Sequence, residues 1–464
     1  MRRLIIFLTA LSISLAASAQ AKYVFYFIGD GMGANQVQLT EMFLAASKGE
    51  LGIEPLCFGQ FPVATMSTHF SANSDVTDSA ASGTALATGH KTKNSRIGMS
   101  ADGSEKLTNI AEMAKANGKK VGVVTTVAIN HATPAAFSAH QKNRDMYYEI
   151  AQDMIANGFD FYGGSRIYNE CETFDGKPAD PIRPQFEAAG YTICNVEGFK
   201  ENWQTADKIL MLPAEGQSVK YRIDALNNAP EKNLTLKEMV ESAVTFLMKD
   251  NKKGFFLMAE GGEIDHTCHS HDAAGTVQEV IDLDEAVKVA FEFYKKHPKQ
   301  TLIVVTADHE TGGLVLDPGK PKSFARLGLQ KCSKNAMTDQ LRQMMADSDK
   351  PLSWEQVKAF ISENTGLWKE IGVSWEDEKA IRDIYEVTLA KQQSGHDVDL
   401  YSDNDQLISK AVEIANDKCS VHWHGHHTAC YTPVFAIGAG SSLFTHKTDN
   451  AEVPMLIKQA AAYK

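Results

Sequence analysis

Four apolar runs of this chain end in side chains that can hold a metal ion. YVFYFIG runs into Asp30, VGVVTTVAIN into His131, GFFLMA into Glu260 with Asp265, His266 and His269 just beyond, and TLIVVTA into Asp308 and His309. A core strand gains no stability from ending in a carboxylate, whereas open parallel sheets bind ligands at the carboxyl ends of their strands. The coincidence points to a metal centre along one sheet edge. Imidazole and carboxylate without a cysteine cluster suit Zn²⁺ or a similar borderline ion. Asp30 and Glu260 can also hold a hard ion such as Mg²⁺ through oxygen. The spacing Asp265-x-x-x-His269 puts both groups on one face of a helix. A His-rich run, VHWHGHHTA at 421–429, precedes the last apolar run. At least one of its histidines is expected to reach the metals, while His422, His424 and His426 read as a solvated loop.

The stretch SDVTDSAASGTALATG (74–89) adds a second kind of chemistry. Thr77, Asp78 and Ser79 stand directly before small residues suited to a tightly packed helix. Unpaired N–H groups and the helix dipole favour an anion at such a start. Ser79 is either a cap, the common use of Ser there, or a nucleophile aimed at something negative. Beside a metal centre the second reading prevails, because a metal can lower the pKa of an otherwise weak serine nucleophile. The Gly-rich turn GDGMG (29–33) competes as a dinucleotide site. It lacks the G-x-G-x-x-G spacing and carries Asp30 where a pyrophosphate would be repelled.

The elements that must carry these groups are legible. Tyr23–Ile28, Val121–Ile129, Gly254–Ala259, Thr301–Thr306 and Pro433–Gly438 are continuous apolar runs. Alternating with helical patterns, they predict a mostly parallel sheet covered on both faces, an α/β fold. Apolar residues at three- and four-residue spacing predict one long helix from about Asp272 to His297. From about 317 to 417 the pattern changes to helices, among them Ser353–Asn364 and Trp375–Gln392, joined by polar loops. This reads as a helical insertion or cap.

The 464 residues carry a formal net charge of −12 and no basic run, which argues against a nucleic-acid partner. MRR, the apolar LIIFLTALSISL and the small-x-small Ala17-Ser18-Ala19 read as a secretory leader over residues 1–19. No other apolar run is long enough to span a bilayer. Export would permit disulfides among the seven cysteines. Cys171/Cys194 and Cys419/Cys430 are near enough in sequence to pair, and Cys268, inside the His and Asp cluster, is expected to be free.

Taken in order, FIGDGMG (27–33), VTDSAASGTALATG (76–89), HATPAAFSAH with Arg144 (131–144), AEGGEIDHTCH (259–269), TADHETGG (306–313) and GHHTA (425–429) resemble the motifs of the alkaline phosphatases. The resemblance runs over essentially the whole chain after the leader. It implies a three-layer α/β/α sandwich holding two Zn²⁺ and one Mg²⁺. Asp265, His269 and His427 resemble the ligands of one zinc. His427 is preferred to His426 because the family's ligand directly precedes a Thr or Gly, here Thr428. Asp30, Asp308 and His309 resemble the ligands of the second zinc, which also binds the Ser79 oxygen. Asp30, Thr133 and Glu260 resemble the magnesium ligands, and Arg144 the phosphate-binding arginine. His131 stands where the best-known bacterial pattern has Asp, and His266 where it has Lys. With Asp78 they are expected beside the ligands and the phosphate, where a His alters the charge around the third ion.

The implied reaction is hydrolysis of small phosphate monoesters through a phosphoserine on Ser79, with Arg144 offering two parallel N–H donors to the phosphoryl oxygens. Sulfatases carry a modified Cys or Ser in a C/S-x-P-x-R motif that is absent around Ser79, and related diesterases usually carry Thr as nucleophile. A non-catalytic binding protein of the same fold would not need every one of these positions filled. The resemblance further implies one catalytic domain over 20–464, a fold in which homodimers are common, and a secreted enzyme, periplasmic in a Gram-negative source.

Overall fold

The computed structural model of the protein describes residues 20–214, 219, 221–227, 234–317, 319, 322–393 and 400–464. The expected leader, 1–19, lies outside the described residues. In chain order the strands begin with β1 (Tyr23–Gly29), β2 (Val63–Thr68), β3 (Lys120–Thr125), β4 (Phe161–Gly163), β5 (Tyr191–Cys194), β6 (Lys208–Met211), β7 (Phe255–Gly261) and β8 (Thr301–Thr306). They continue with β9 (Glu310–Thr311), β10 (Val315–Leu316), β11 (Val421–His422), β12 (His427–Thr428), β13 (Thr432–Gly438) and β14 (Thr448–Asp449). Ten form one sheet in the order β14-β2-β13-β8-β1-β7-β3-β4-β6-β5. Within this sheet, among the described residues, only β13 runs antiparallel to its neighbours, β8 and β2.

Strand β1 is buried at every residue, as a central strand covered on both faces must be. Its side chains divide by the two-residue period of a strand. Tyr23, Phe25 and Phe27 pack with Val280, Leu283 and Val287 of the helix Ala273–Lys296. Val24, Tyr26 and Ile28 pack with Ala80, Leu86 and Ala87 of the helix Ser79–Thr88. The result is the expected α/β/α layering. The helix Ala273–Lys296 ends where its sequence pattern does. Asp272 accepts the Gly275 N–H at 2.9 Å as N-cap, and His297 closes the far end.

One run was expected to extend further than it does. Val121–Ile129 stays in the sheet only to Thr125. There hydroxyls replace ladder partners: Thr125 Oγ1 accepts the Val127 N–H at 3.1 Å and Thr126 Oγ1 accepts the Gly262 N–H at 2.9 Å. Val127, Ala128 and Ile129 are buried in the loop that follows, so their hydropathy mimics a strand. His131 therefore starts the short helix Ala132–Ala136 as its N-cap residue and does not end a strand.

The helices Lys334–Ala346, Trp354–Thr365, Trp375–Gln393 and Leu400–Lys418 share an apolar core of their own, built on Met337, Leu341, Val357, Ile361, Ile381 and Leu407. All seven cysteines are free. Cys419 is buried while Cys430 is exposed, and neither this pair nor Cys171/Cys194 is bonded. Cys268 is free and buried, as expected. No helix among the described residues is long and apolar enough to cross a membrane.

Candidate metal centre

Strands β7, β1 and β8 are adjacent and parallel, so their carboxyl ends meet. Asp30 follows β1, Glu260 lies at the end of β7, and Asp308 and His309 follow β8. Gly31 makes the turn after β1 with φ +72°. A Cβ there would come 2.9 Å from both Asp265 Oδ1 and Thr311 Oγ1, which is why that turn needs glycine. Asp265 and His269 lie one turn apart on the helix Glu263–His269. His427 arrives on β12, which pairs with β9 so that His427 faces Thr311.

Two groups of metal-capable atoms result, each within 4.8 Å: Asp265, His269 and His427, and Asp30, Asp265 and His309. In the first, His269 Nε2 lies 3.0 Å from His427 Nε2 and 3.4 Å from Asp265 Oδ2. His427 Nδ1 contacts the Thr77 carbonyl at 2.9 Å; donating there leaves Nε2 as the ligating atom. In the second, His309 Nε2 lies 3.4 Å from Asp30 Oδ1, 3.3 Å from Asp308 Oδ2 and 3.2 Å from Ser79 Oγ. The His309 and His427 rings stack at 3.7 Å, so the two groups abut. A third cluster adjoins them: Thr133 Oγ1 donates to Asp30 Oδ2 at 3.5 Å, and the Thr125 hydroxyl donates to Glu260.

The electrostatics of this cluster call for cations. Asp30 Oδ1, Asp308 Oδ2 and Glu260 Oε1 are buried and accept no hydrogen bond. Burial pushes the Asp308 carboxyl up to about 7, aided by the Asp265 charge, and Glu260 up to about 8. Asp30 is pushed well above the usual range by burial and then by Asp308. Asp265 runs the other way: burial raises it, but its contact with His269 and the neighbouring imidazoles pull it below the ordinary value. Burial, then His427, holds His309 well below its ordinary value, so its Nε2 lone pair is free to ligate. A buried anionic oxygen without a donor is costly, and a bound cation removes that cost.

Ser79 does not cap its helix. Asp78 does, accepting the Ala81 N–H at 2.9 Å. That frees the Ser79 hydroxyl, buried at the first helical position, to face His309. The small side chains let this helix sit on the one bearing Thr133: a Cβ on Gly83 would meet Thr133 Cα at 3.3 Å. The other Asp78 oxygen contacts Arg144 Nη1 at 3.4 Å. Arg144 Nη2 lies 3.2 Å from His131 Nε2, which must accept, since guanidinium only donates. Burial, then Arg144, pushes His131 down to about 3, consistent with a neutral acceptor. His266 is lowered by burial but raised more by its 2.7 Å contact with Glu263, to about 9. Its ring lies 5.8 Å from that of His131.

Every residue expected at the site is thus brought to this edge. The sequence reasoning missed Thr311, whose hydroxyl donates to Asp265 Oδ1 at 2.5 Å and contacts His309 Nδ1 at 3.1 Å. The signal was its place two residues after His309, within the same run TADHETGG. His422 departs from expectation. It is no solvated loop residue but lies between Asp317 (3.2 Å) and Asp417 (2.8 Å). His424 and His426 are exposed, as expected. His427→Ala should therefore lower the bound metal by one ion per chain, with affinity at that position falling at least about 100-fold, whereas His426→Ala should not. Metal analysis of the two variants checks this, and the reverse result would shift the ligand by one residue.

Comparison with known proteins agrees with this geometry. The model of the family described as Alkaline phosphatase matches residues 21–177 and 180–463. The chain is 33% identical over 456 residues to "Alkaline phosphatase 3" of Bacillus subtilis, covering 96% of this chain and 90% of the relative. It is 31% identical to the "Alkaline phosphatase" of Escherichia coli over 64% of this chain and 72% of that one. Among solved structures, the cold-active alkaline phosphatase of a psychrophilic Shewanella sp. superposes with TM-score 0.76 at 27% identity, covering 95% of this chain and 99% of that one. The metal-capable edge, the helix-start serine and these matches lead to one conclusion: the chain belongs to the alkaline phosphatase family.

Proposed function

We propose that the chain hydrolyses phosphate monoesters to alcohol and phosphate through a phosphoserine on Ser79, and that the edge described above holds two Zn²⁺ and one Mg²⁺. The observation that carries this is the group of three buried carboxylate oxygens without donors, beside a serine hydroxyl at a helix start. The donor set fits the ions. Asp265, His269 and His427 would hold one zinc, Asp30, Asp308 and His309 the other, and Asp30, Thr133 and Glu260 the magnesium. When bound, such cations draw charge from phosphoryl oxygens and lower the pKa of an oxygen ligand.

The chain's own residues supply the rest. Ser79 Oγ, its proton passing to solvent, forms a bond to phosphorus at the positive end of its helix, and the phosphorus–alcohol bond breaks, the alcohol taking a proton from solvent. Asp78 holds Arg144 so that its planar fork grips two phosphoryl oxygens. Water then attacks the phosphoserine, releasing phosphate and restoring the Ser79 hydroxyl. The Thr77 carbonyl and Thr311 keep His427 and His309 oriented. Neutral His131 and cationic His266 would weaken the third position for Mg²⁺ relative to a carboxylate there. We further take 1–19 as a cleaved leader of a secreted enzyme, periplasmic in a Gram-negative source, and 317–417 as an insertion in one catalytic domain.

The test compares p-nitrophenyl phosphate with bis-p-nitrophenyl phosphate on the metal-replete protein from neutral to alkaline pH. Strong preference for the monoester, rising on the alkaline side, is expected. Preference for the diester, or phosphate binding without turnover, would overturn the reading.

A further inference from the structure

A cleft of about 720 Å³ opens at His269. Its wall is preformed. His271 adopts a left-handed backbone, φ +52°, which costs a non-glycine residue energy. It is held there by Asn416, whose Nδ2 donates to the His271 carbonyl at 2.7 Å, and by a 2.9 Å contact of its own Nε2 with the Gly425 carbonyl. The His271 ring stacks on Trp423 at 5.5 Å, nearly coplanar. Trp423 in turn lies over Gly312, where a Cβ would come within 2.4 Å of the indole.

The charges of the cleft are uneven. Lys334 is matched by Asp405 at 3.3 Å and Glu413 by Lys410 at 2.6 Å. Among the described residues Asp317 and Asp417 share one partner, His422. Even with that imidazole protonated, an uncompensated carboxylate remains, and both are solvent-accessible.

We infer that this cleft receives the alcohol half of the substrate and that Asp317 and Asp417 select monoesters whose alcohol is neutral or cationic over those carrying a second anionic group. The inference rests on the phosphomonoesterase reading. In an in-line displacement the alcohol leaves opposite the attacking oxygen. Ser79 stands against His309 in one metal-capable group, and the other group, with His269 and His427, abuts it through the His309–His427 stack. With the attacking oxygen at the first group the alcohol leaves on the side of the second, and His269 of that group also lines the cleft. Cations held by the metal-capable residues would act on the phosphoryl group that every substrate shares. The acidic wall acts only on the part in which substrates differ.

The experiment uses two esters of like size, glycerol 3-phosphate and 3-phosphoglycerate, with phosphocholine as the cationic case. Their kcat/KM values are measured on the metal-replete full chain at low and high salt. The native protein should favour phosphocholine and glycerol phosphate over phosphoglycerate. Asp417→Asn and Asp317→Asn should each shift the glycerol phosphate to phosphoglycerate ratio about three-fold toward the acid, as expected for removing one partly screened charge. High salt should compress the preference in the native protein. A ratio unchanged in both variants would overturn the inference while leaving the phosphomonoesterase reading intact. No turnover of any of the three esters, nor of p-nitrophenyl phosphate, by the native protein would overturn both.

Discussion

Ser79→Ala should reduce turnover of p-nitrophenyl phosphate by about four orders of magnitude or more, a loss typical of removing a covalent nucleophile, while the protein keeps its bound metal. The two halves of that result come from different atoms. The proposed nucleophile is a single hydroxyl facing His309 at 3.2 Å. The metal-capable atoms belong to carboxylates and imidazoles on other elements. The helix itself should survive, because its cap is Asp78 and Ala is the best helix former. Acid quenching with labelled substrate should trap no phosphoenzyme. Turnover that persists in the variant, or metal lost with the hydroxyl, would contradict the role assigned to Ser79.

Stripping the metals should make the protein less stable as pH rises. The sign follows from the raised carboxyls. Asp308 at about 7, Glu260 at about 8 and Asp30, also raised, are all protonated more readily in the folded than in the unfolded chain. Their stability contribution is complete below the ordinary carboxylate pKa near 4 and is lost as pH climbs through the folded values. The metal-free protein should therefore unfold more easily at about pH 9 than at about pH 5, by an amount on the order of 5 kcal/mol. The metal-replete protein should not follow that trend, because cations offset the buried negative charge. Thermal unfolding of both forms across this range is the measurement. A metal-free melting temperature that stays flat or rises with pH would remove the electrostatic case for a metal centre.

How far the sequence carried the interpretation differs by element. The helix Ala273–Lys296 was legible to within one residue at each end, because it is long, periodic and bounded by Asp272 and His297. The central strands were legible because burial on both faces makes them continuous apolar runs. Strand β3 was overread by four residues, since Val127 to Ile129 are buried without being in the sheet, and hydropathy reports burial, not ladder pairing. The helices at 334–346 and 400–418 fell within the stretch read as helical but were not delimited, because their apolar stripes are interrupted by many polar residues, although Ser333 is a plain capping signal. At the site, the metal-capable side chains were visible because strand ends collect them. The division of labour between Asp78 and Ser79 was not, for both are good caps and only packing decides which one turns inward. Asn416 and Asp317 were invisible for another reason. Their partners, His271 and His422, are distant in the chain, and no local pattern marks such a contact.

The metal-capable groups draw on nearly the whole described chain, from Asp30 after the first strand to His427 before the penultimate one. Few of these atoms meet until the parallel strands have been threaded into order, which is a slow, non-local event. Ion capture therefore belongs to the end of folding and not to its nucleus. Bound late, the ions would act as a kinetic lock, slowing escape from the native state more than they speed arrival at it.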